Sequence, residues 1–325
     1  MQLDRTHVSV RARSLAEIGD LSLLLVRRYS GALVVGFTLG LLPWAILNFL
    51  LLGYIPINEA RDGIIDEQTY YERARYVWLM CALVFLQTPI AGIFTTYYIG
   101  QAVFEERPPW ATVVKACRQS LLPVLWVLGT LRGPLVAMAL LATNWGGEFA
   151  PGRELFWVLV IVLWAALIRS IRPFMPEILL LERCPLRAAR GQETTITASR
   201  RSGLLHSPLS GDLIGRYLMT AIIVAALALG VFYGIMAVRG FLSTEWNWTL
   251  HLGSLPISDV QLLWLPLALW IVAGLSIFMR FLGYLDARIR LEGWEVELAV
   301  RAEALRQFGT ESSPVLSTPQ AENVA

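Results

Sequence analysis

Lysine is almost missing from this 325-residue chain: Lys115 is the single one, and every other basic residue is an arginine. The arginines form no soluble basic face, so no nucleic-acid partner is expected. Charge is scarce altogether, at 16% of residues, against about 25% in an ordinary soluble domain. There are only three cysteines. Cys81 sits inside an apolar run and Cys117 and Cys184 in connections, and no CxxC pair occurs, which argues against a disulfide framework or a zinc site. The three histidines are His7, His206 and His251. The topology argued below puts the first two on one side and the third on the other, so they share no site. HExxH, GxxxxGK[ST] and GxGxxG are absent, and no histidine falls within a span to serve a serine–histidine pair. The first 20 residues have neither a short apolar core nor a small-residue cleavage site, so a removable signal peptide is not expected. These absences leave no catalytic constellation; neither enzymatic activity nor a cofactor is expected.

What the chain has instead is apolar residues, 56% of the total, with a mean hydropathy of +0.56, gathered into long blocks. A membrane-spanning helix needs roughly 20 mostly apolar residues. Six stretches qualify: Gly31 to Tyr54, Val77 to Val103, Leu121 to Thr143, Leu155 to Ile171, Tyr217 to Val238 and Val260 to Tyr284. The second carries Pro89 near its middle, which predicts a kink. The fourth runs uninterrupted only to Ile168 before Arg169, Arg172, Pro173 and Pro176, so it reads as a span kinked at the prolines, with arginines at the interface or facing inward.

Six spans place 21 of the 27 basic residues on one side and five on the other, with Arg132 alone inside a span. By the positive-inside rule the rich side is the cytosol, and both termini lie there. Dropping the fourth span would move basic clusters to the wrong side. Trp145, Trp246 and Trp248 fall at the outer connections, where indoles favour the headgroup zone. Gly36 and Gly40 form a GxxxG, read here as ordinary helix packing. Two flanking segments have helical apolar stripes: Leu15, Ile18, Leu21 and Leu25, and Trp110, Val113, Val114 and Cys117. Both are expected to lie on the inner leaflet.

Arg132 is the sharpest single feature. It falls near the middle of the third span, and Gly133 and Pro134 follow it, so the helix is expected to break there and expose carbonyls. Either it contacts an anion or lipid headgroup, or it is a structural arginine bonded to carbonyls or to side chains such as Gln87 and Thr88. The span interiors carry no carboxylate; Glu177 and Asp286 lie near inner ends. That disfavours a proton-coupled transporter.

The segment Phe281 to Leu298, FLGYLDARIRLEGWEVEL, resembles the terminal signature of the glycerophosphodiester phosphodiesterase-associated membrane domain and its relatives without the catalytic barrel. Tyr284, Asp286, Arg288, Arg290, Glu292, Gly293 and Glu297 match in order, with Glu295 where an aspartate is usual. Ser14 to Tyr29, Glu106 to Leu122 and Pro176 to Glu182 are similar to other segments of that family, whereas Cys184 to Leu213 departs from it. The resemblance implies a multi-pass fold and no catalytic residues. Within the signature, Asp286 with Arg290 and Arg288 with Glu292 are i,i+4 opposite-charge pairs. Arg288 and Arg290 are placed either to meet lipid phosphates or to dock on the connecting loops.

The expected fold is an all-α polytopic membrane helix bundle with amphipathic cytoplasmic helices at both ends. Residues 1–30 form a cytoplasmic segment, 31–284 the spanning domain, 285–308 a charged helix and 309–325 a disordered tail rich in Ser, Thr and Pro. The expected function is a non-enzymatic scaffold or partner-binding protein of the cytoplasmic membrane, in contact with the lipid bilayer and a membrane protein partner. The alternative is a transporter or lipid-handling protein built around Arg132.

Overall fold

A computed structural model describes residues 13–55, 67–102, 108–145, 151–188, 196–242, 249–252, 255–258 and 263–293. Trp246, Trp248, His7 and the 309–325 tail lie outside the described residues. Among the described residues the regular structure is helical apart from one antiparallel hairpin of β1 (Thr249–Leu252) and β2 (Leu255–Ser258), which the all-α expectation did not include.

Among the described residues five helical stretches are long and apolar enough to cross a membrane. They lie in α2 (Ser30–Leu52), α3 (Glu67–Ala91), α8 (Pro151–Ile171), α11 (Ser210–Leu242) and α12 (Leu265–Glu292). The third expected span is the exception. It is divided into α6 (Leu121–Val124), a π-helical segment Leu125–Thr130, a break over Leu131–Gly133 and α7 (Pro134–Thr143). Gly133 takes φ 93°, a left-handed conformation that glycine adopts without strain, and Pro134 starts α7 where a missing N–H costs nothing. A helix breaks at this point, as the Gly-Pro pair requires. The preceding α5 (Trp110–Gln119) and the stretch Leu121–Thr130 form an apolar pair bent by 59°, which brings the number of membrane-crossing elements to six if that pair is one span.

Other boundaries also shift. α3 begins at Glu67, ten residues before the expected Val77, and ends at Ala91. α4 (Ile93–Ala102) follows after an interruption at Gly92, three residues beyond Pro89. α8 is complete before its prolines: 21 residues, about 30 Å at 1.5 Å each. The chain then turns through Pro173 into the short α9 (Met175–Leu180). α12 continues without a break through the charged signature and stops at Gly293, in the left-handed conformation, so no separate helix begins at residue 285.

Lipid tails give apolar helices little reason to prefer one another, so bundle packing rests on close backbone approach and interhelical hydrogen bonds. Gly40 supplies the first: a methyl group built there would collide with the Ala91 carbonyl, so α2 and α3 meet backbone to backbone. Gly36 faces the Trp110 ring of α5. Asn48 and Gln87 supply the second, exchanging two buried hydrogen bonds of 2.8 and 2.7 Å between α2 and α3. α11 is peripheral. From Ile214 to Phe241 none of its side chains is buried, and it touches the bundle through α12 and α8.

The two amphipathic stripes face protein. α1 (Leu15–Arg28) starts at a capping box of Ser14 and Glu17 and buries Ile18 and Leu25 against α12, leaving Leu23 and Leu24 outward. α5 buries Val113 and Cys117, stacks Trp110 on Tyr98 at 4.9 Å and leaves Val114 exposed. The expectation that these stripes lie on lipid is therefore corrected: apart from Val114, each is covered by the bundle. The end of the molecule holding α1 and Gly293 is called basal below, and the end holding Tyr54 and Asn144 distal.

Candidate functional site

Helices interrupted inside an apolar bundle leave carbonyl groups without donors, and each such carbonyl requires a partner. Pro89 has no N–H, so the Phe85 carbonyl four residues earlier has no helical bond. Arg169, near the end of α8, fills the gap: Nη1 donates to Phe85 O at 2.6 Å and Nη2 to Leu86 O at 2.8 Å. Its guanidinium also lies over the Phe85 ring, 4.3 Å from the centroid. Arg172 lies just past the C-terminal end of α8, where its carbonyl has no helical donor, and there Arg132 donates through Nη2 to that carbonyl at 2.6 Å. Two buried arginines thus close carbonyls left open by a proline in α3 and by the end of α8.

The backbone at Arg132 meets the middle of α8. Trp164 Nε1 donates to Leu131 O at 3.1 Å, and Gly133 packs on Ile161, the central residue of that helix. From there the side chain reaches toward the basal end. Arg132 is 2% exposed and has no ion-pair partner among the described residues. Gln87 and Thr88, proposed above as its partners, are occupied elsewhere: Gln87 by Asn48 and Met138, Thr88 by the Val84 carbonyl. Close by, Glu177 of α9 is fully buried and binds Arg280 of α12 at 2.7 Å, and Arg280 also reaches Thr96 at 3.3 Å. A carboxylate thus lies in the packed interior, in α9 beyond the end of α8 and outside the spanning stretches, near an inner end as expected.

Arg288 and Arg290 belong to a second, basal network. Both i,i+4 pairs form, Asp286 with Arg290 at 3.0 Å and Arg288 with Glu292 at 2.7 Å. Asp286, only 2% exposed, is a junction. It also accepts from the backbone N–H of Arg13 at 2.7 Å and from Arg216 of α11 at 2.8 Å. Arg290 additionally donates to the Arg13 carbonyl at 2.9 Å. Glu182, just beyond α9, accepts from Tyr284 at 2.7 Å and from Arg201 at 2.5 Å, and Arg201 of α10 (Ala198–His206) continues to Glu292. Burial alone would push the Glu182 carboxyl up. The Arg201 and Tyr284 hydrogen bonds and the charges of Arg201 and Arg288 outweigh it and hold it below its ordinary value. Arg183 turns the chain here at φ 51° and donates to Tyr97 at 2.9 Å. The start of α1, the stretch to Glu182 and the end of α12 thus meet in space. Arg132 stands apart from this network.

No family model, curated protein or solved structure matches this chain. The site is accordingly read from its own geometry.

Among the described residues no group of three or more His, Cys, Asp or Glu is placed to hold a metal ion. His206 is a packing element: its Nδ1–H donates to the Ser202 carbonyl at 2.7 Å, its Nε2 accepts from the Phe174 N–H at 3.2 Å, and the ring stacks on Phe174. A distal pair, Arg75 and Glu154 at 2.6 Å with Tyr54 at 3.0 Å from the same guanidinium, ties α2, α3 and α8 together. The roles of Arg169, Arg280, Glu177 and Glu154 were missed in the sequence. A signal for the first did exist, because a proline within a span orphans a carbonyl and an arginine in another span is a donor able to reach it.

Proposed function

We propose that this chain is a non-enzymatic scaffold or partner-binding protein of the cytoplasmic membrane, crossing it six times with both termini inside. Under this reading it is a relative of the glycerophosphodiester phosphodiesterase-associated membrane domain that lacks the catalytic barrel. The observation that carries the reading is the junction at Asp286, which fixes α1, α11 and α12 to one another. Buried ion pairs give little net stability against desolvation, so a lattice of them is better explained by the shape it enforces. A surface set before contact spares a partner the ordering cost of binding. The basic residues that flank the basal end favour its cytosolic placement, and lipid surrounds the exposed faces of α2, α8 and α11.

The test is native electrophoresis and cross-linking of the full chain from mild detergent. A discrete complex that disperses in Asp286→Ala is expected; a lone monomer in every mild detergent would overturn the scaffold. Reporter tags after Tyr54, after Asn144 and beyond Leu242 should all read as external, and a cytosolic signal from any of them would refute the topology.

A transporter or lipid-handling protein is the second reading, favoured by Arg132, a buried cation without a carboxylate partner among the described residues. Reconstituted vesicles that show neither solute flux nor lipid movement would eliminate it.

A further inference from the structure

The buried arginines carry more charge than their surroundings neutralise. Arg132 and Arg169 are 2% and 8% exposed, and both spend their bonds on neutral carbonyls. Arg280 lies near enough for Arg132 to feel its repulsion along with that of Arg169, while the single carboxylate acting on Arg132 is Glu177. Three guanidiniums against one carboxylate leave a net charge of +2 in a largely buried region of the bundle. An interior of low dielectric does not hold such an excess without cost, and a carbonyl dipole replaces only part of a counter-ion.

The bonding positions left open point the same way. Arg169 Nε is buried with no partner, and Glu177 Oε2 is buried with none. A free donor on one cation and a free acceptor on the one carboxylate suit a ligand that is anionic and also carries a proton to donate. A protonated phosphate has both features, and so does a phosphodiester bearing a hydroxylated headgroup. Tyr217 of α11 is close enough to feel both Arg132 and Arg169, and it is only half-buried. Arg172 is exposed just past the end of α8, and α8 packs on α11, so their seam is the route by which a ligand would enter.

We propose that Arg132, Arg169 and Arg280 form an interhelical anion site for a phosphate group, entered past Arg172 and Tyr217, with Glu177 setting its affinity. The site rests on the second reading's buried arginine but requires no transport. A binding measurement therefore separates its failure from the failure of that reading.

The experiment uses the full chain, purified and delipidated in detergent, and follows its thermal unfolding midpoint. One arm adds inorganic phosphate and the other a short-chain phosphatidylglycerol, each against chloride at equal ionic strength. Saturable stabilisation by both probes assigns the site to the phosphate group itself, by the lipid alone to a headgroup, and by phosphate alone to a free anion. In each supporting case Arg132→Gln should raise the half-saturating concentration about tenfold or more, the usual loss for one charge-assisted hydrogen bond. Glu177→Gln should lower the melting temperature of the free protein yet bind the anion several-fold more tightly, because the opposing charge is gone. That opposite sign is not produced by a residue whose role is packing alone, and it keeps the test decisive if Arg132→Gln does not fold. No stabilisation by either probe, an unchanged half-saturating concentration in Arg132→Gln, or unchanged or weaker binding in Glu177→Gln would overturn the proposal.

Discussion

Arg169 donates to the Phe85 carbonyl at 2.6 Å, and Phe85 stands four residues before Pro89, so a cation from one helix completes the hydrogen bonding of another. The proline and the arginine are therefore energetically linked although they belong to different helices. Replacing Arg169 with leucine strands the Phe85 carbonyl in an apolar interior and should cost about 1–3 kcal/mol. In a Pro89→Ala background the new backbone N–H satisfies that carbonyl, and the same substitution should cost less by roughly 1 kcal/mol, a coupling of the size expected for groups in contact. A double-mutant cycle from equilibrium unfolding in mixed micelles measures it. Strict additivity of the two substitutions would contradict the linkage.

That coupling marks how far the sequence could be read. The apolar blocks and Pro89 were legible because length and proline chemistry act locally, and α2, α8 and α12 lie where those blocks do. The break at Gly133 was legible for the same reason. The partners of Arg132 were not: Gln87 and Thr88 were compatible by chemistry, but Gln87 is taken by Asn48 from α2, a choice made by tertiary packing. The stripes of α1 and α5 had the right period, yet periodicity does not say whether an apolar face meets lipid or another helix. Only contact with α12 and α4 decides it.

Asp286 offers a sharper test of the basal network. Its removal leaves the Arg13 N–H, Arg216 and Arg290 each without this carboxylate. Asp286→Ala should lower stability by about 3–5 kcal/mol, the usual cost of breaking a buried pair from one side. α1 should detach first, because Arg13 is its anchor ahead of the capping box. Limited trypsinolysis reads this as faster cleavage at Arg27 and Arg28, with the distal Arg75–Glu154 region unaffected. Equal protection of α1 in the variant would show that packing on α12 holds it alone.

Acid should loosen the same network. The Glu182 carboxyl titrates below its ordinary value of 4.5 in the folded protein, since burial, which opposes ionisation, is outweighed by Arg201, Tyr284 and Arg288. A group whose folded pKa is depressed contributes stability above its unfolded pKa, and loses it as the pH falls through the folded one. Stability from this source is therefore flat near neutrality and declines once the pH drops below about 4.5. Glu182→Gln should be less stable at pH 7 and show a shallower acid slope in melting temperature against pH. A slope identical to that of the parent would mean that other carboxylates carry the acid response.

Glycines in the apolar helices separate packing from permissiveness. Gly40 meets the Ala91 carbonyl so closely that any side chain must push α2 away from α3, and a rigid backbone is the obstacle. Gly40→Ala should cost about 2 kcal/mol or more and weaken the adjoining Asn48–Gln87 exchange, since both lie on the same α2–α3 seam. Gly36→Ala should be milder, because its nearest neighbour is the edge of the Trp110 ring at 2.9 Å, a side chain with room to move by a few tenths of an ångström. Gly230 and Gly234 on α11 have the same spacing with nothing within 4 Å, so alanine there should be tolerated or slightly stabilising as a better helix former. Unfolding of the four single variants in one detergent tests the order. If Gly234→Ala proved as damaging as Gly40→Ala, the open face of α11 would have to be covered by another molecule, and its peripheral position in the isolated chain would not be its position in the membrane.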